Sequence, residues 1–335
     1  MIEIEKQVVE RVHSFDTFKA IAAIAVVFIH FGGFPIIDTG VKLLARFAVP
    51  YFFMISGYFT HGSNKEHIKK SVLKLTRLFL LSALIYLIYN IISSGVDSIF
   101  KEITLFNAVK VFVFNSPQIT APHLWYLITI IYCYILYYIF GKVKEKYLFF
   151  YICVALMIHL FAAEFLPIVF NVSFVFTAPP IVRNVWIFGF PFFLLGFLAK
   201  SKEKTLNNLL FSEVYAMFFT GVTLVLIEGL AIQTGKLHDL YIGNIIMVIA
   251  IFSFCLKKKD FGKQGIIEKI GKKYSLWIYI LHPLVGGIIC RNLILKGYIF
   301  KWLMPIFILF VTLIVSILIV FISNKIKLLK RKVFS

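Results

Sequence analysis

Long apolar segments alternate with short polar segments along almost the whole chain. Each apolar segment has roughly the 17–25 residues that a helix needs to cross a bilayer. We therefore predict an all-α fold, a polytopic integral membrane bundle of about ten transmembrane helices. The predicted spans are 17–35, 43–60, 78–93, 122–140, 147–166, 183–199, 211–232, 240–256, 274–293 and 299–322.

The composition excludes an ordinary soluble domain. Of the 335 residues, 60% are hydrophobic and only 15% are charged, whereas soluble domains carry about 25% charged residues. We find no internal repeat and predict a single membrane domain over residues 1–335. Residues 1–13 read as a charged cytoplasmic lead without a signal-peptide pattern, and residues 324–335 read as a basic cytoplasmic tail.

The positive charge predicts topology. The net charge of +19 would on its own also suit a nucleic-acid partner. Most lysines and arginines fall in alternate loops, however, and the positive-inside rule assigns such loops to the cytoplasm. Both termini are therefore predicted to be cytoplasmic in a multi-pass protein of the cell membrane, whose basic loops contact membrane lipid and no nucleic acid.

All four cysteines lie inside apolar spans, and none belongs to a Cys-x-x-Cys pair; they are Cys133, Cys153, Cys255 and Cys290. Buried free thiols are the simplest interpretation of this pattern. We predict no disulfide and no metal site.

The first predicted span carries Lys19 near its start and His30 near its end. Titratable groups at membrane depth are costly and therefore mark function by default. Their separation of about three helical turns, or about 16 Å of rise, places both side chains on one face. Asp16, one turn earlier, can pair with Lys19. The alternatives are a lysine that snorkels to the interface and a core histidine bonded between helices.

Further candidates lie on the predicted outer side. His123 and Trp125 open the fourth span, where a tryptophan ordinarily anchors the interface but can also stack on a sugar ring. Arg183 opens the sixth span. Glu228 is the deepest acid, so it must be protonated, paired or exposed to water in a cavity.

Two more positions carry polar groups within apolar spans. Ser56 precedes Gly57 near the end of the second span, where the pair serves either close packing or the approach of a ligand. Tyr279 and His282 lie one turn apart in the ninth span, with structural hydrogen bonding as the alternative role.

Three segments between the spans are also patterned. The stretch 64–77 has apolar residues at helical spacing with bases between them, as in a helix that lies on the anionic inner leaflet. The segments 94–122 and 167–182 are too apolar for free loops, so we expect them to lie along the outer interface or to dip into it.

The order of several motifs resembles the membrane-bound acyltransferase 3 family and spans nearly the whole chain. The first span has the pattern Asp16-x-x-Lys19 followed by His30 after ten further residues. The family usually has Arg in place of Lys19; lysine keeps the charge and loses the bidentate fork. The other matching motifs are Phe52-Phe53-Met54-Ile55-Ser56-Gly57-Tyr58, Lys74-x-x-Arg77, His123-Leu124-Trp125-Tyr126-Leu127, Pro191-Phe192-Phe193-Leu194-Leu195-Gly196 and Ser275-Leu276-Trp277-Ile278-Tyr279-Ile280-Leu281-His282.

The resemblance implies an O-acyltransferase that binds no resident cofactor and uses acyl-CoA, in the first instance acetyl-CoA, as co-substrate. Its acceptor would be a hydroxyl of a cell-surface glycan or of a lipid-linked precursor. Lys74 and Arg77 match a family motif linked to the cytoplasmic donor, and Lys19 on the same side suits its phosphates.

The acyltransferase hypothesis also assigns the catalytic and acceptor-binding residues. His30 is the predicted general base, because imidazole titrates near neutral pH, and Glu228 is the predicted partner that orients it. An acyl-enzyme intermediate on a histidine or serine is equally compatible with the sequence. The predicted acceptor or oxyanion contacts are Ser56, His123, Trp125, Arg183, Tyr279 and His282.

Two other functions stay open. A transporter of a polysaccharide, a lipid-linked sugar or a small solute would also use scattered His, Glu and Arg residues in a helical bundle. The lack of a repeat and the cation–histidine pair on the first span favour the enzyme. A non-catalytic assembly or sensor subunit is the weaker alternative.

Overall fold

The computed structural model describes residues 11–32, 37–117, 120–165, 182–231, 238–292 and 298–333, and no strand occurs in these ranges. Two π-helical segments occur in these ranges, Leu160–Phe165 and Val185–Gly189. The helices are α1 (His13–His30), α2 (Asp38–Ala45), α3 (Ala48–Thr60), α4 (Lys65–Ser94), α5 (Val96–Glu102), α6 (Leu105–Phe114), α7 (Trp125–Phe140), α8 (Glu145–His159), α9 (Phe190–Ser201), α10 (Glu203–Asn208), α11 (Phe211–Ala231), α12 (Ile242–Lys257), α13 (Ile266–Lys273), α14 (Ser275–Asn292) and α15 (Tyr298–Val333).

The helices confirm an all-helical membrane protein. Within the described ranges, 7 helices are long and apolar enough to cross a membrane, or 8 if α13 and α14, bent by 77° from each other, form one broken span. Two further predicted spans coincide with shorter apolar helices at 185–201 and 242–257. The number of ten and the cytoplasmic location of the termini stay predictions.

Helix α4 differs from the sequence interpretation. A surface helix at 64–77 and a separate span from 78 were expected, but one helix of 30 residues runs through both. Residues 65–94 contain neither glycine nor proline, so nothing interrupts the backbone hydrogen bonds between the basic and the apolar part. Asn64 caps the start by accepting the His67 N–H at 2.8 Å.

The segment 94–122 folds into the short helices α5 and α6. Their apolar side chains are strongly exposed in the isolated chain, with Leu105 at 82% and Phe112 at 71%. Such exposure suits contact with lipid, in line with the expected interfacial position. The corresponding prediction for 167–182 concerns residues that, except for Val182, lie outside the described ranges. Residues 1–10 of the lead also lie outside them.

Helix α1 lies at the centre of the described bundle, where it packs against α3, α13 and α14. Its small residues Ala20, Ala22 and Ala23 are fully buried, which lets neighbouring helices approach closely. Gly271 of α13 approaches α1 so closely that an added Cβ atom would lie 1.7 Å from the Asp16 carbonyl oxygen. The absence of a side chain there allows α13 to reach the start of α1.

The cysteines are free thiols throughout. Cys133 and Cys255 are buried as predicted, whereas Cys290 is exposed. A position inside an apolar span does not decide whether a side chain faces a neighbouring helix or lipid.

Two glycines hold α3 and α9 together. A Cβ atom on Gly57 would lie 1.7 Å from the Phe193 carbonyl oxygen, and one on Gly196 would lie 1.8 Å from the Met54 carbonyl oxygen. Real Cβ atoms do not approach backbone this closely, so each helix fits the other only at these glycines. Gly57 therefore serves close packing, one of the two roles considered for it.

We expect Gly57→Ala and Gly196→Ala each to lower the free energy of unfolding by about 1–3 kcal/mol, because the added methyl group must push two backbones apart. The measurement is the thermal unfolding midpoint of each variant in nanodiscs. Gly40→Ala is the matched control, since its Cβ atom would meet only Leu226 at 3.8 Å. Equal midpoints for all three variants and the native chain would show that the α3–α9 contact can relax.

Candidate functional site

Two cavities lie at opposite ends of α1. The first, here called the lysine cavity, has a volume of about 450 Å³, within the range of small-molecule sites. Three lysines line it, Lys19 from α1, Lys74 from α4 and Lys272 from α13, together with the hydroxyls of Ser56 and Ser275. Helices far apart in the chain thus bring three positive charges to one concave surface.

Lys19 is fixed by the pairing that the sequence predicted. Its Nζ atom lies 2.5 Å from Oδ1 of Asp16, which is buried. The other carboxylate oxygen of Asp16 accepts from the Arg11 guanidinium at 2.9 and 2.5 Å. This network holds the lysine at the rim of the cavity, so its side chain is positioned as well as charged.

Lys74 and Arg77 do not share an environment. Lys74 lines the lysine cavity, whereas Arg77 is exposed and lies outside the lining of the described cavities. Ser56 also lies at the lysine cavity, where its Oγ donates to the Phe52 carbonyl at 3.0 Å. The structure therefore brings Lys19, Lys74 and Ser56 together and leaves Arg77 apart.

Lys272 is a residue that the sequence interpretation did not single out. It lies in a run of cations that was assigned to topology alone. The neighbouring Gly271, which lets α13 approach α1, brings the lysine to the cavity. A glycine inside this short amphipathic helix was the available signal.

The second cavity, here called the histidine cavity, is smaller, at about 90 Å³. Most of the predicted outer residues meet in it. Its titratable, charged and aromatic lining comprises His30, Arg46, His123, Trp125, Arg183, Phe188, Asp239 and Tyr279. The cavity therefore combines two imidazoles, aromatic faces and a group of fixed charges.

Three histidines gather around this cavity. The ring of His282 lies 5.0 Å from the ring of His30 and 5.8 Å from that of His123, measured between centroids. Despite this clustering, the described part of the chain contains no group of three His, Cys, Asp or Glu side chains arranged to hold a metal ion.

The hydrogen bonds distinguish the three rings. His282 Nδ1 lies 3.0 Å from the Ile278 carbonyl, and His123 Nε2 lies 3.1 Å from the Ile280 carbonyl. A carbonyl only accepts, so each of these nitrogens carries a proton. Both rings are buried, whereas His30 is exposed to the cavity. His30 is thus the member of the trio best placed to meet a ligand.

Tyr279 lines both cavities. Its hydroxyl donates to the His123 carbonyl, and its ring lies 5.2 Å from that of Tyr126, which also lines the lysine cavity. Tyr279, with Tyr126 packed against it, is therefore a wall that the two cavities share, here called the partition.

Fixed charges occupy the far side of the histidine cavity. Asp239 accepts from Arg183 through two bonds, 2.7 and 2.8 Å long, and from Arg46 at 2.9 Å. Burial raises the pKa of Asp239, but the charges of Arg183 and Arg46 outweigh burial and lower the pKa to about 2. The aspartate is therefore ionised at physiological pH.

Glu228 lies apart from this cluster. Its carboxylate accepts the Ile242 N–H at 2.9 Å and so caps the start of α12. It lines neither cavity, and the carboxylate at the histidine cavity is Asp239. A role for Glu228 in orienting His30 stays a prediction.

The comparison with protein families confirms the resemblance that the sequence motifs indicated. A family profile described as an acyltransferase domain, acyltransferase 3, matches residues 12–322. Two curated proteins of Enterococcus faecalis, both named amino-acid racemase, are 28% and 27% identical over 75% and 82% of this chain. The chain spans only 37% and 41% of their lengths. No solved structure gives a significant match.

Proposed function

This chain belongs to the acyltransferase 3 family, and from that premise we propose that it is an O-acyltransferase of the cell membrane. It moves an acyl group, acetyl in the first instance, from cytoplasmic acyl-CoA to a hydroxyl of a cell-surface glycan or its lipid-linked precursor. The observation that carries the proposal is the pair of cavities that meet at Tyr279, with three lysines in one and His30 in the other.

The lysine cavity suits the donor. The phosphates of acyl-CoA are anionic, and Lys19, Lys74 and Lys272 supply ammonium groups to bind them. The separation of Lys19 and His30 is about 16 Å along α1, a distance that an extended pantetheine arm can bridge. The thioester would then reach His30 past the partition of Tyr126 and Tyr279.

The reaction needs one base. The acceptor hydroxyl gives its proton to His30 as its oxygen attacks the thioester carbonyl. Collapse of the tetrahedral intermediate breaks the C–S bond, and the leaving sulfur takes the proton from His30 to give free CoA. An ester is formed, and no oxidant or reductant is required. Transfer through an acyl-enzyme remains the alternative route.

His282 is the neighbour best suited to orient His30. Its Nδ1–H is used by the Ile278 carbonyl, and its buried Nε2 has no hydrogen-bond partner among the described residues. An N–H of His30 can donate to this lone pair, which leaves the other His30 nitrogen free to accept the proton. The orienting role predicted for Glu228 would then belong to a histidine.

The acceptor would enter on the side of Trp125. Its ring lines the histidine cavity and packs on Phe188 with centroids 5.6 Å apart. An aromatic face held in this way can stack on a sugar ring. The cavity of about 90 Å³ has room only for the reacting part of the acceptor beside His30, which also favours a short acyl group.

The donor assignment is tested with purified protein in nanodiscs and labelled acetyl-CoA. We expect Lys74→Ala and Lys272→Ala each to raise KM for acetyl-CoA about tenfold, because each removes a charged hydrogen bond to phosphate. Arg77→Ala is the matched control, since Arg77 lies on the same helix as Lys74 and outside the cavity.

Acetyl-pantetheine sharpens this experiment because it carries the thioester without the phosphates. The two lysine variants should use it as well as the native protein does. If Arg77→Ala raises KM more than both lysine substitutions, the donor lies elsewhere. If no variant or native protein releases CoA or transfers label, the acyltransferase proposal itself is wrong.

Transport of a small solute is the second candidate. It is favoured by the two cavities at opposite ends of α1, which a carrier would also need. Proteoliposomes and a labelled amino acid, chosen for the names of the two curated relatives, provide the test. Uptake without CoA release or ester formation would select the carrier.

A further inference from the structure

The charges of the histidine cavity do not balance. Asp239 is opposed by two guanidinium groups, those of Arg46 and Arg183. The side chains are largely withdrawn from solvent, with 12% exposure for Asp239, 14% for Arg46 and 31% for Arg183. These three are the only charged side chains, histidine aside, in the described lining. The cluster therefore has a net charge of +1 at physiological pH.

The excess charge belongs mainly to Arg46. Arg183 forms a bidentate pair with Asp239, which matches guanidinium and carboxylate geometry. Arg46 shares the same carboxylate through a single bond from Nη1, and its buried Nε has no hydrogen-bond partner among the described residues. A buried donor without an acceptor is costly, and a buried charge without a counter-ion costs more.

Few other carboxylates in the sequence could neutralise this excess positive charge. The carboxylates whose side chains lie outside the described part of the chain are those of Glu3, Glu5, Glu10 and Glu164. Asp239 is the only carboxylate in the described lining of the cavity. We therefore take the missing negative charge to come from a ligand.

We propose that the histidine cavity binds an acidic acceptor, in which a carboxylate or phosphate group lies close to the hydroxyl that is acylated. Arg46 binds the anionic group through its unused N–H donors, and Asp239 holds both arginines in place. The acceptor hydroxyl is thereby presented to His30. The assignment rests on the proposed function, because the ligand is taken to be the acyl acceptor.

Two sugars that differ in one group provide the test: methyl glucuronide carries a carboxylate where methyl glucoside carries a hydroxymethyl group. With acetyl-CoA as donor, the native protein should prefer the glucuronide about tenfold or more in kcat/KM, as one charged hydrogen bond predicts. Arg46→Gln should bring this ratio close to one. The substitution leaves the Arg183–Asp239 pair intact and removes the excess charge, so the fold should tolerate it.

A binding measurement separates this inference from the proposed function. Without donor, glucuronide should slow the modification of His30 by diethyl pyrocarbonate, followed by mass spectrometry of the peptide that carries His30. Glucoside should protect less, and Arg46→Gln should abolish the difference. Protection without ester formation would retain the anion site and reject the acyltransferase.

Other outcomes would overturn the inference. Equal use of both sugars by the native protein, together with equal protection, would mean that the cavity does not recognise an anion. If Arg46→Gln lowers kcat for both sugars by the same factor and leaves their ratio unchanged, Arg46 stabilises the oxyanion of the transition state instead.

Discussion

Replacing His30 with alanine is expected to lower kcat for acyl transfer by about 10²- to 10⁴-fold, the usual contribution of a general base. His30 is the member of the histidine trio that is exposed to the cavity, whereas His123 and His282 are buried and bonded to carbonyls. Its loss removes a proton acceptor without opening the core. The measurement is the rate of ester formation in nanodiscs at saturating acetyl-CoA.

The same variant should keep its affinity for the donor. Lys19, Lys74 and Lys272 lie at the other end of α1, so KM for acetyl-CoA should change little. His67→Ala is the matched control, because His67 is an exposed histidine on α4 that lines neither cavity. If His30→Ala retains more than a tenth of the native kcat, another group acts as the base.

Local geometry explains why part of the site can be predicted from sequence. Asp16 and Lys19 lie three residues apart on one helix, so their ion pair follows from helical spacing alone. The same rule placed Lys19 and His30 on one face of α1. Lys74 and Arg77 also lie three residues apart, yet only Lys74 lines one of the two cavities described above. Helical spacing gives the relative directions of two side chains, but packing decides which of them faces inward.

The rest of the site depends on contacts between distant parts of the chain. Arg46 and Asp239 form a hydrogen bond although they are 193 residues apart in the sequence. Asp239 lies in a short polar segment before α12, and nothing local distinguishes it from a solvated loop residue. Glu228 attracted attention because it lies deep in an apolar span, but its carboxylate caps the next helix. The sequence shows that a charged residue lies within an apolar span, but it does not show which group pairs with it.

In the fold, too, the features set by short stretches of sequence were predicted and those set by distant contacts were not. Apolar length located a helix at every predicted span, because the requirement for internal hydrogen bonds in lipid acts on each segment separately. The 77° bend between α13 and α14 was not predicted, since it depends on how α13 packs beneath α1. That bend is what brings Lys272 to the lysine cavity.

Removing the charge of Asp239 should destabilise the protein more than any other single change near the site. Asp239→Asn keeps the shape of the side chain and leaves Arg46 and Arg183 as two largely buried cations without a counter-ion. Breaking a buried ion pair in this way costs about 3–5 kcal/mol. The measurement is the thermal unfolding midpoint in nanodiscs, with Glu66→Gln as control. Glu66 pairs with Lys70 at 2.7 Å, but both side chains are more than 70% exposed, so little loss is expected there.

Two experiments test whether the unpaired cations cause this loss of stability: the removal of one of them by a second substitution, and a change of pH. Asp239→Asn combined with Arg46→Gln should be more stable than Asp239→Asn alone, because one of the two unpaired cations is gone.

In the native protein the pKa of Asp239 is lowered to about 2 from its ordinary value of 3.8. A lowered pKa contributes stability that is fully present above the unfolded value and is lost as the pH falls through the folded value. The difference between the native protein and Asp239→Asn should therefore be constant between about pH 5 and 8 and shrink below about pH 4. A difference that varied between pH 5 and 8 would show that another group titrates with the cluster.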